Sequence, residues 1–494
     1  MFATVVAIDS SCTRVSADAP NVIAPFMSRT PFSARGFSDI TDMIGPMRPP
    51  PELARSGLPS VAFVARASTS AGFNSGSVIQ DIHASSHSLL LRRKSRTGPS
   101  LGQRSRRTRF ARACQVRYSA PKHTTDEESA MAEDVRIGII GANPTNGWAG
   151  RAHMPGLKAG VQGVKLAAVS TTRQESADEA LATYGADHAF DDHRKMLELD
   201  DVDVVAVVVK LPLHYELAKD VIESGKNVYV EWPLATTTAQ AQELAALAKE
   251  KGVRTGIGLQ ARRSAEFLHI KKLIEEGYVG ELLSVDMTQF GSGAMARPSG
   301  RIWMRDKAAA ANVLTITFGH AIDLLMTAVG RFDTLNAMVT TQVHEWTATD
   351  TGETFSADAP DNIRVIGKLK SGAAVSVHVG SSGTATTGHR FVVAGTKGSL
   401  VVTAAASPHV SPSVLSGQQG DDPLAPIDVP QPDWVVANGL KGGSVNIGKL
   451  WASYAQSIRE GNADYTPDFD AAVEHHQFID AVQRASDTGQ TQQL

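Results

Sequence analysis

The chain has 494 residues, of which 42% are hydrophobic and 20% charged, enough length and apolar content for two or three domains with buried cores. Its formal charge of −3 is unevenly spread: 17 of the 48 Lys and Arg, but only 9 of the 51 Asp and Glu, lie in residues 1–130. The remainder is therefore acidic, with no general surplus of positive charge for nucleic acid. Both cysteines, Cys12 and Cys114, fall in that first stretch, which excludes disulfides, a thiol nucleophile and a zinc–thiolate centre from the rest and suits a cytoplasmic setting. No apolar run approaches the roughly 18 residues of a membrane span, so no membrane contact is expected.

Residues 1–130 show little sustained helix or strand period and are rich in Ser, Pro, Arg and Gly, the signature of a disordered tail. Arg104-Ser105-Arg106-Arg107-Thr108-Arg109 is dense enough for a targeting or nucleic-acid-binding arm, but the acids Asp9, Asp18, Asp39 and Asp42 argue against a transit peptide. Met131, four residues before the first strand, is the expected natural start.

Val135-Arg136-Ile137-Gly138-Ile139-Ile140-Gly141 reads as a short apolar strand ending in glycine. A loop, Ala142-Asn143-Pro144-Thr145-Asn146-Gly147, and a helix over 148–157 follow. Strand, glycine turn and helix form a phosphate cradle, because glycine lets the backbone approach a pyrophosphate and the helix start offers free amides. Asn143 stands where the usual GxGxxG has its second glycine. Gly141, Asn143, Gly147 and Trp148 are the expected contacts. Strands at 164–169, 202–209, 227–230 and 255–259 then alternate with helices at 174–184, 215–224 and 238–251. This predicts a doubly wound parallel sheet, a Rossmann domain over 131–260, with its crevice at the strand C-termini. The second strand ends in Ser170, Thr171, Thr172 and Arg173. With no carboxylate there, Ser170, Thr172 and Arg173 favour the 2′-phosphate of NADP over NAD. Lys210, at the end of the third strand, faces the crevice and is a candidate cation for catalysis.

Lys226-Asn227-Val228-Tyr229-Val230-Glu231-Trp232-Pro233-Leu234 resembles the GKHVxxEKP segment of the glucose-fructose oxidoreductase / inositol dehydrogenase / rhizopine catabolism (Gfo/Idh/MocA) family, with Trp232 at the lysine position. Gly258 to Ser264, the IKKLIEEGYVG segment at 270–280, Thr317-Phe318-Gly319-His320-Ala321-Ile322-Asp323-Leu324, Gly395 to Leu400 and the helix at 467–489 match further family segments in order. Gly147-Trp148, His214-Tyr215-Glu216, Glu231-Trp232-Pro233, Leu259-Gln260 with Arg262, and Thr317 to His320 resemble the narrower branch of the fungal galactose-pathway repressor. That branch holds non-enzymatic, nucleotide-binding regulators beside presumed oxidoreductases.

The resemblance implies that residues 261–494 form an α+β domain with a large open, mostly antiparallel sheet. Short β-branched segments at 282–288, 335–343, 362–369, 373–380, 390–394 and 399–403 agree with it. Residues 407–446, rich in Pro, Gly and Ser, read as a long excursion that caps the site or is floppy. An open sheet face implies a homodimer or a dimer of dimers.

In enzymes of this resemblance a lysine and an Asp-x-x-x-His pair share proton transfer. Here those positions hold Trp232, Ile316 and His320, which leaves His320, with an ordinary pKa near 6.5, as the expected base. The resemblance also implies that Glu231 hydrogen-bonds the nicotinamide ribose and that Pro233 shapes the turn. Trp232 is expected to stack on a nicotinamide or sugar face. Gln260, Arg262 and Asp323 are assigned to the substrate side, Asp323 also as an orienter of His320 or a helix. His153 is expected against the neighbouring domain or a cofactor phosphate. No metal is expected, since the histidines lack ligand spacing. The resulting functions are an NAD(P)-dependent oxidoreductase acting on a sugar, polyol or related small-molecule substrate, or a non-catalytic nucleotide-sensing regulator with a protein partner.

Overall fold

The computed structural model describes residues 134–145, 147–293, 295–381, 385–462 and 465–494, so the expected tail at 1–130 and the start at Met131 lie outside the described residues. The first half is a six-stranded parallel sheet in the order β3-β2-β1-β4-β5-β6. Its strands are β1 (Val135–Ile140), β2 (Val164–Ser170), β3 (His188–Phe190), β4 (Val204–Val207), β5 (Asn227–Val230) and β6 (Thr255–Ile257). β4 is buried at all four positions, as a strand covered by helices on both faces must be. The helices are α1 (Met154–Lys158), α2 (Gln174–Tyr184), α3 (His193–Leu197), α4 (His214–Glu223) and α5 (Thr238–Lys251). Local chemistry sets their ends: the Thr237 hydroxyl accepts from Gln240 N at the start of α5, and Gly252 closes it in the left-handed conformation. The strand order reverses between β1 and β4, and the C-terminal edge at that point is where an open α/β sheet binds ligands.

After α6 (Ala265–Glu275) come β7 (Leu282–Gly291), β8 (Ala296–Arg297), β9 (Phe332–Thr340), β10 (Glu345–Ala348), β11 (Thr354–Ser356), β12 (Asn362–Leu369) and β13 (Ala374–Ser381). β8, β10 and β11 form a small sheet of their own, and the others belong to a nine-stranded sheet that is antiparallel except where β7 runs parallel to β13. β14 (Gly388–Gly395) pairs with the other side of β7, and β15 (Gly398–Ala404) with β14. α7 (Gly319–Val329) and α10 (Phe469–Thr488) pack against its inner face and carry the seam to the parallel sheet.

Three features differ from the sequence reading. The stretch 407–446 is not a plain excursion: it contains β16 (Ser413–Gln419), which extends the sheet, α8 (Asp433–Ala437) and the start of α9 (Gly443–Arg459). α9 then packs into the Rossmann core, where the Tyr454 hydroxyl donates to the backbone oxygens of Val228 and Arg254, so the first domain is completed by residues from the far end of the chain. Third, Lys307–Val329 has the length and mean hydropathy, 1.4, of a membrane-crossing helix, against the expectation of no such run. Of its most apolar 18-residue window 67% is buried inside the body, and it is broken by a π-helical segment, Val313–Phe318, so its apolarity is that of a core helix.

Candidate functional site

The phosphate loop begins at Gly141, whose φ of 92° is left-handed and whose missing Cβ would overlap the Val208 carbonyl. Its N–H donates to Ser170 O at 2.8 Å, locking the ends of β1 and β2 together. Asn143 Oδ1 accepts from Thr145 N at 3.0 Å and from Thr145 Oγ1 at 2.9 Å. The carboxamide that replaces the second glycine thus shapes the longer loop from within. A Cβ at Gly147 would stand in ordinary contact with the carbonyl oxygens of Asn143 and Gly141, at 3.7 and 3.8 Å, and a helical run follows from Trp148. Trp148 Nε1 is buried without a protein partner. At the end of β2, Ser170 is buried and Thr171 bonds internally to Ser176, which leaves Thr172 and Arg173 exposed on the rim. A glycine corner, a helix start and hydroxyls at the β2 end fit an adenine dinucleotide.

At the end of β5 the side chains are held by protein partners. Glu231, 8% exposed, accepts from His153 Nε2 at 3.0 Å and from Tyr229 Oη at 2.9 Å. Trp451 Nε1, which can only donate, lies 3.1 Å from His153 Nδ1. His153 Nδ1 is therefore the acceptor, and its ring proton sits on Nε2, facing Glu231. The expected ribose contact is instead one link in a buried chain from α9 to β5, and His153 is a core residue.

Trp232 corrects a second expectation. Its indole is 4% exposed, donates from Nε1 to Thr315 O at 2.8 Å, and packs against the rings of His475 and His476 at 4.6 and 4.7 Å. Gly319 permits this: a Cβ there would stand 2.6 Å from Trp232 Nε1. A ring committed to the seam between α10 and the π-helical segment offers no face to a nicotinamide. The Trp232-Pro233 bond is cis, and Pro233 O accepts from His214 Nδ1 at 2.8 Å, tying the β5 end to the start of α4.

Arg262 and Asp323 are likewise internal. The guanidinium donates to the 1% exposed carboxylate from Nη2 to Oδ1 at 2.7 Å and from Nε to Oδ2 at 3.1 Å, a two-pronged pair that fixes the turn after β6 to α7. The pair braces the fold and at the same time lines a cavity. Gln260 beside them is 1% exposed with neither amide atom partnered, so it remains open to a ligand. A cavity of about 610 Å³ is lined by residues that include Arg262, Asp323, Arg331, Lys370 and Glu474, and none of Lys210, Glu231 or His320 is among them.

His320 sits in the first turn of α7, directly after Gly319 and hence beside the β5 end. It is 5% exposed, and its Nδ1 is buried without a protein partner. Its ring lies flat on His409, centroids 4.1 Å apart and planes 15° from parallel. Burial first, then His409 and His475, hold its pKa well below the ordinary histidine value; the expected pKa near 6.5 is corrected downward. Lys210 does not join it: the exposed ammonium lies 5.7 Å over the ring of Trp303.

Sequence reasoning missed His409, Gln289 and His389. His409 was hidden in the presumed excursion. The other two carried a usable signal, since each is the polar member of an apolar period-two face: Val285, Met287, Gln289 on β7 and His389, Phe391, Val393 on β14. Among the described residues no group of three or more His, Cys, Asp and Glu is arranged to hold a metal.

Residues 135–259 match the oxidoreductase family with an NAD-binding Rossmann fold, GFO_IDH_MocA, and residues 266–404 match the Gal80p C-terminal domain. Dehydrogenase aclE of Aspergillus oryzae is 26% identical over 373 residues, 73% of this chain and 98% of its own. The galactose/lactose metabolism regulatory protein GAL80 of Saccharomyces cerevisiae is 28% identical over 257 residues, 49% of this chain and 59% of its own. A super-repressor mutant of that Gal80p has the same fold, with TM-score 0.65 at 23% identity over 73% of this chain and 98% of its own. Levoglucosan dehydrogenase in complex with NADH and L-sorbose does too, with TM-score 0.63 at 22% identity over 73% and 99%.

Proposed function

Because the chain belongs to the Gfo/Idh/MocA family, in its galactose-repressor-like branch, we propose that it is an NAD(P)-dependent oxidoreductase acting on a hydroxyl of a sugar, polyol or related compound. The observation that carries this reading is the unpartnered Nδ1 of His320, buried beside the C-terminal end of β5. A nicotinamide bound in this crevice would supply hydride transfer. His320 would take the hydroxyl proton at Nδ1. Its depressed pKa keeps the imidazole neutral and its lone pair available at pH 7, at the cost of weaker basicity. Glu231 would position β5 and α1 through His153 without touching substrate. Thr172 and Arg173, with no carboxylate beside them, support NADP over NAD. Exposed Met338 and Ile366 on neighbouring strands of the second sheet support a homodimer or dimer of dimers.

A second reading, a regulator that binds nucleotide and a protein partner without turnover, draws on the two family proton-relay positions. Trp232 is buried in the seam and Ile316 carries no titratable proton. The two readings separate in a cofactor-absorbance screen of aldoses, inositols and 1,5-anhydro sugars, comparing the wild type with His320→Ala. The enzyme reading expects a loss of at least about 10²-fold in turnover with cofactor affinity within about twofold. Undiminished turnover in His320→Ala overturns the assignment of the base. Tight cofactor binding with no turnover on any compound replaces the enzyme by the regulator.

A further inference from the structure

Two buried polar side chains on the second sheet have no part in this mechanism. Gln289 on β7 and His389 on β14 are direct cross-strand partners, each 2% exposed. His389 Nδ1 lies 3.0 Å from Gln289 Oε1. That bond uses one polar atom of each side chain, and the other, His389 Nε2 and Gln289 Nε2, is buried with no protein partner. Phe267 stands edge-on to the His389 ring at 6.2 Å, so the pair has an apolar wall at its back. Burial first, and then the nearby His409 ring, drive His389 down to about 3. His409 is also the ring stacked on His320. The sheet pair and the proposed base therefore flank the same half-buried imidazole.

Leaving a buried donor or acceptor unmade costs about 1–3 kcal/mol, and native cores seldom keep such groups without a use. The chemistry of the pair defines what would satisfy it. With His389 Nδ1–H donating to Gln289 Oε1, the pair offers a lone pair at Nε2 and an N–H at the amide nitrogen. Turning the amide over exchanges the two roles and again leaves one donor and one acceptor. The complement in either case is a group that donates and accepts at once, which is a hydroxyl group or a water molecule that a ligand hydroxyl would replace. A carboxylate or phosphate oxygen would face a lone pair, and an ammonium would face an N–H.

We propose that Gln289 and His389 form a hydroxyl-reading subsite that selects a neutral polyhydroxylated ligand, gripping a hydroxyl other than the one that reacts at His320. The inference rests on reading the crevice as a substrate site and is independent of whether turnover occurs. Calorimetric titration of the full chain with myo-inositol, L-sorbose and levoglucosan, each with and without NADH, tests it. At least one of the three binds the wild type, and Gln289→Leu and His389→Phe each weaken that binding about tenfold, with NADH affinity within about twofold of wild type. Binding of none of the three overturns the subsite, as does unchanged affinity in a Gln289→Leu/His389→Phe double variant that melts higher than wild type. A measurement on unmutated protein guards against misfolded variants: the ¹⁵N resonance of His389 Nε2 moves when the bound compound is added, and an unmoved resonance at saturation overturns the assignment. If NADH fails to bind while a polyol does, the cofactor reading falls and the subsite stands.

Discussion

The seam between the two halves and the sheet wall of the crevice differ in how far their polar groups are satisfied. Across the seam most contacts close on protein atoms, Arg262 on Asp323, Trp451 on His153 and thence Glu231, Trp232 on Thr315, His475 on Gly319, while Gln260 and one ring nitrogen each of His475 and His476 stay buried without a partner. Along the wall, His320, Gln289 and His389 each keep a buried polar atom without a protein partner. A satisfied polar network gives rigidity and register, while an unsatisfied one asks for a ligand. The difference teaches which conspicuous residues hold the crevice open and which read its contents.

The sharpest way to break the seam is at its most buried charge. Asp323→Ala leaves the Arg262 guanidinium, whose side chain is only 23% exposed, without its anion. Breaking a buried pair from one side costs about 3–5 kcal/mol. Urea unfolding should show a loss of that size with an unchanged slope. A loss below about 1 kcal/mol would mean that the pair is as weak as a surface bridge and that the seam is held elsewhere.

Acid should act on both regions through their histidines. Burial pushes His389 and His476 down to about 3 and His409 to about 4, and holds His320 and His475 below the ordinary value. In the unfolded chain each titrates near 6.5. The unfolded state therefore binds more protons below that pH, so the stability contributed by neutral rings is fully present above 6.5 and is lost as pH falls toward 4 and 3. Each ring that stays neutral costs about 1.4 kcal/mol per pH unit in that window. Urea midpoints measured from pH 7.5 to 5 should fall steeply below 6.5. His476→Phe and His389→Phe should each flatten the slope by one proton, and a flat profile in the wild type would show that these rings are hydrated.

The fold was legible because its signals are local and repeated: four apolar strands of the first sheet, each followed by a turn and a helix, need only period and spacing to declare a parallel sheet. The candidate site was legible as an edge and not as a set of contacts. The places of Gly141 and His320 in the fold could be read, since a glycine at a strand end and a histidine at a helix start are placed by their own element. The directions of Glu231, Trp232, Arg262 and Asp323 were not, because they depend on partners 61–220 residues away, such as Thr315 and, through His153, Trp451. Tertiary partners decide whether a polar residue is scaffold or site. Gln289 and His389 were within reach of period-two reasoning, because two polar residues on apolar faces of adjoining strands violate the pattern without any turn to excuse them.

Arg173 belongs to neither region, and its prediction is the smallest. It stands exposed at the rim, at the non-helical start of α2, and makes no side-chain ion pair among the described residues. Only NADP places a phosphate near that position, so Arg173→Gln should weaken NADPH about tenfold and NADH less than about twofold. The effect is modest because a solvent-exposed cation works in water, where screening shortens its reach to about 8 Å at physiological salt. The same water supplies a signature that neither the seam nor the sheet wall should show. Raising salt should erase the wild type's preference for NADPH while leaving NADH and polyol binding nearly constant. Fluorescence titrations at low and high salt would measure both affinities, and tighter binding of NADH than NADPH by the wild type at low salt would remove Arg173 from the site and NADP from the proposal.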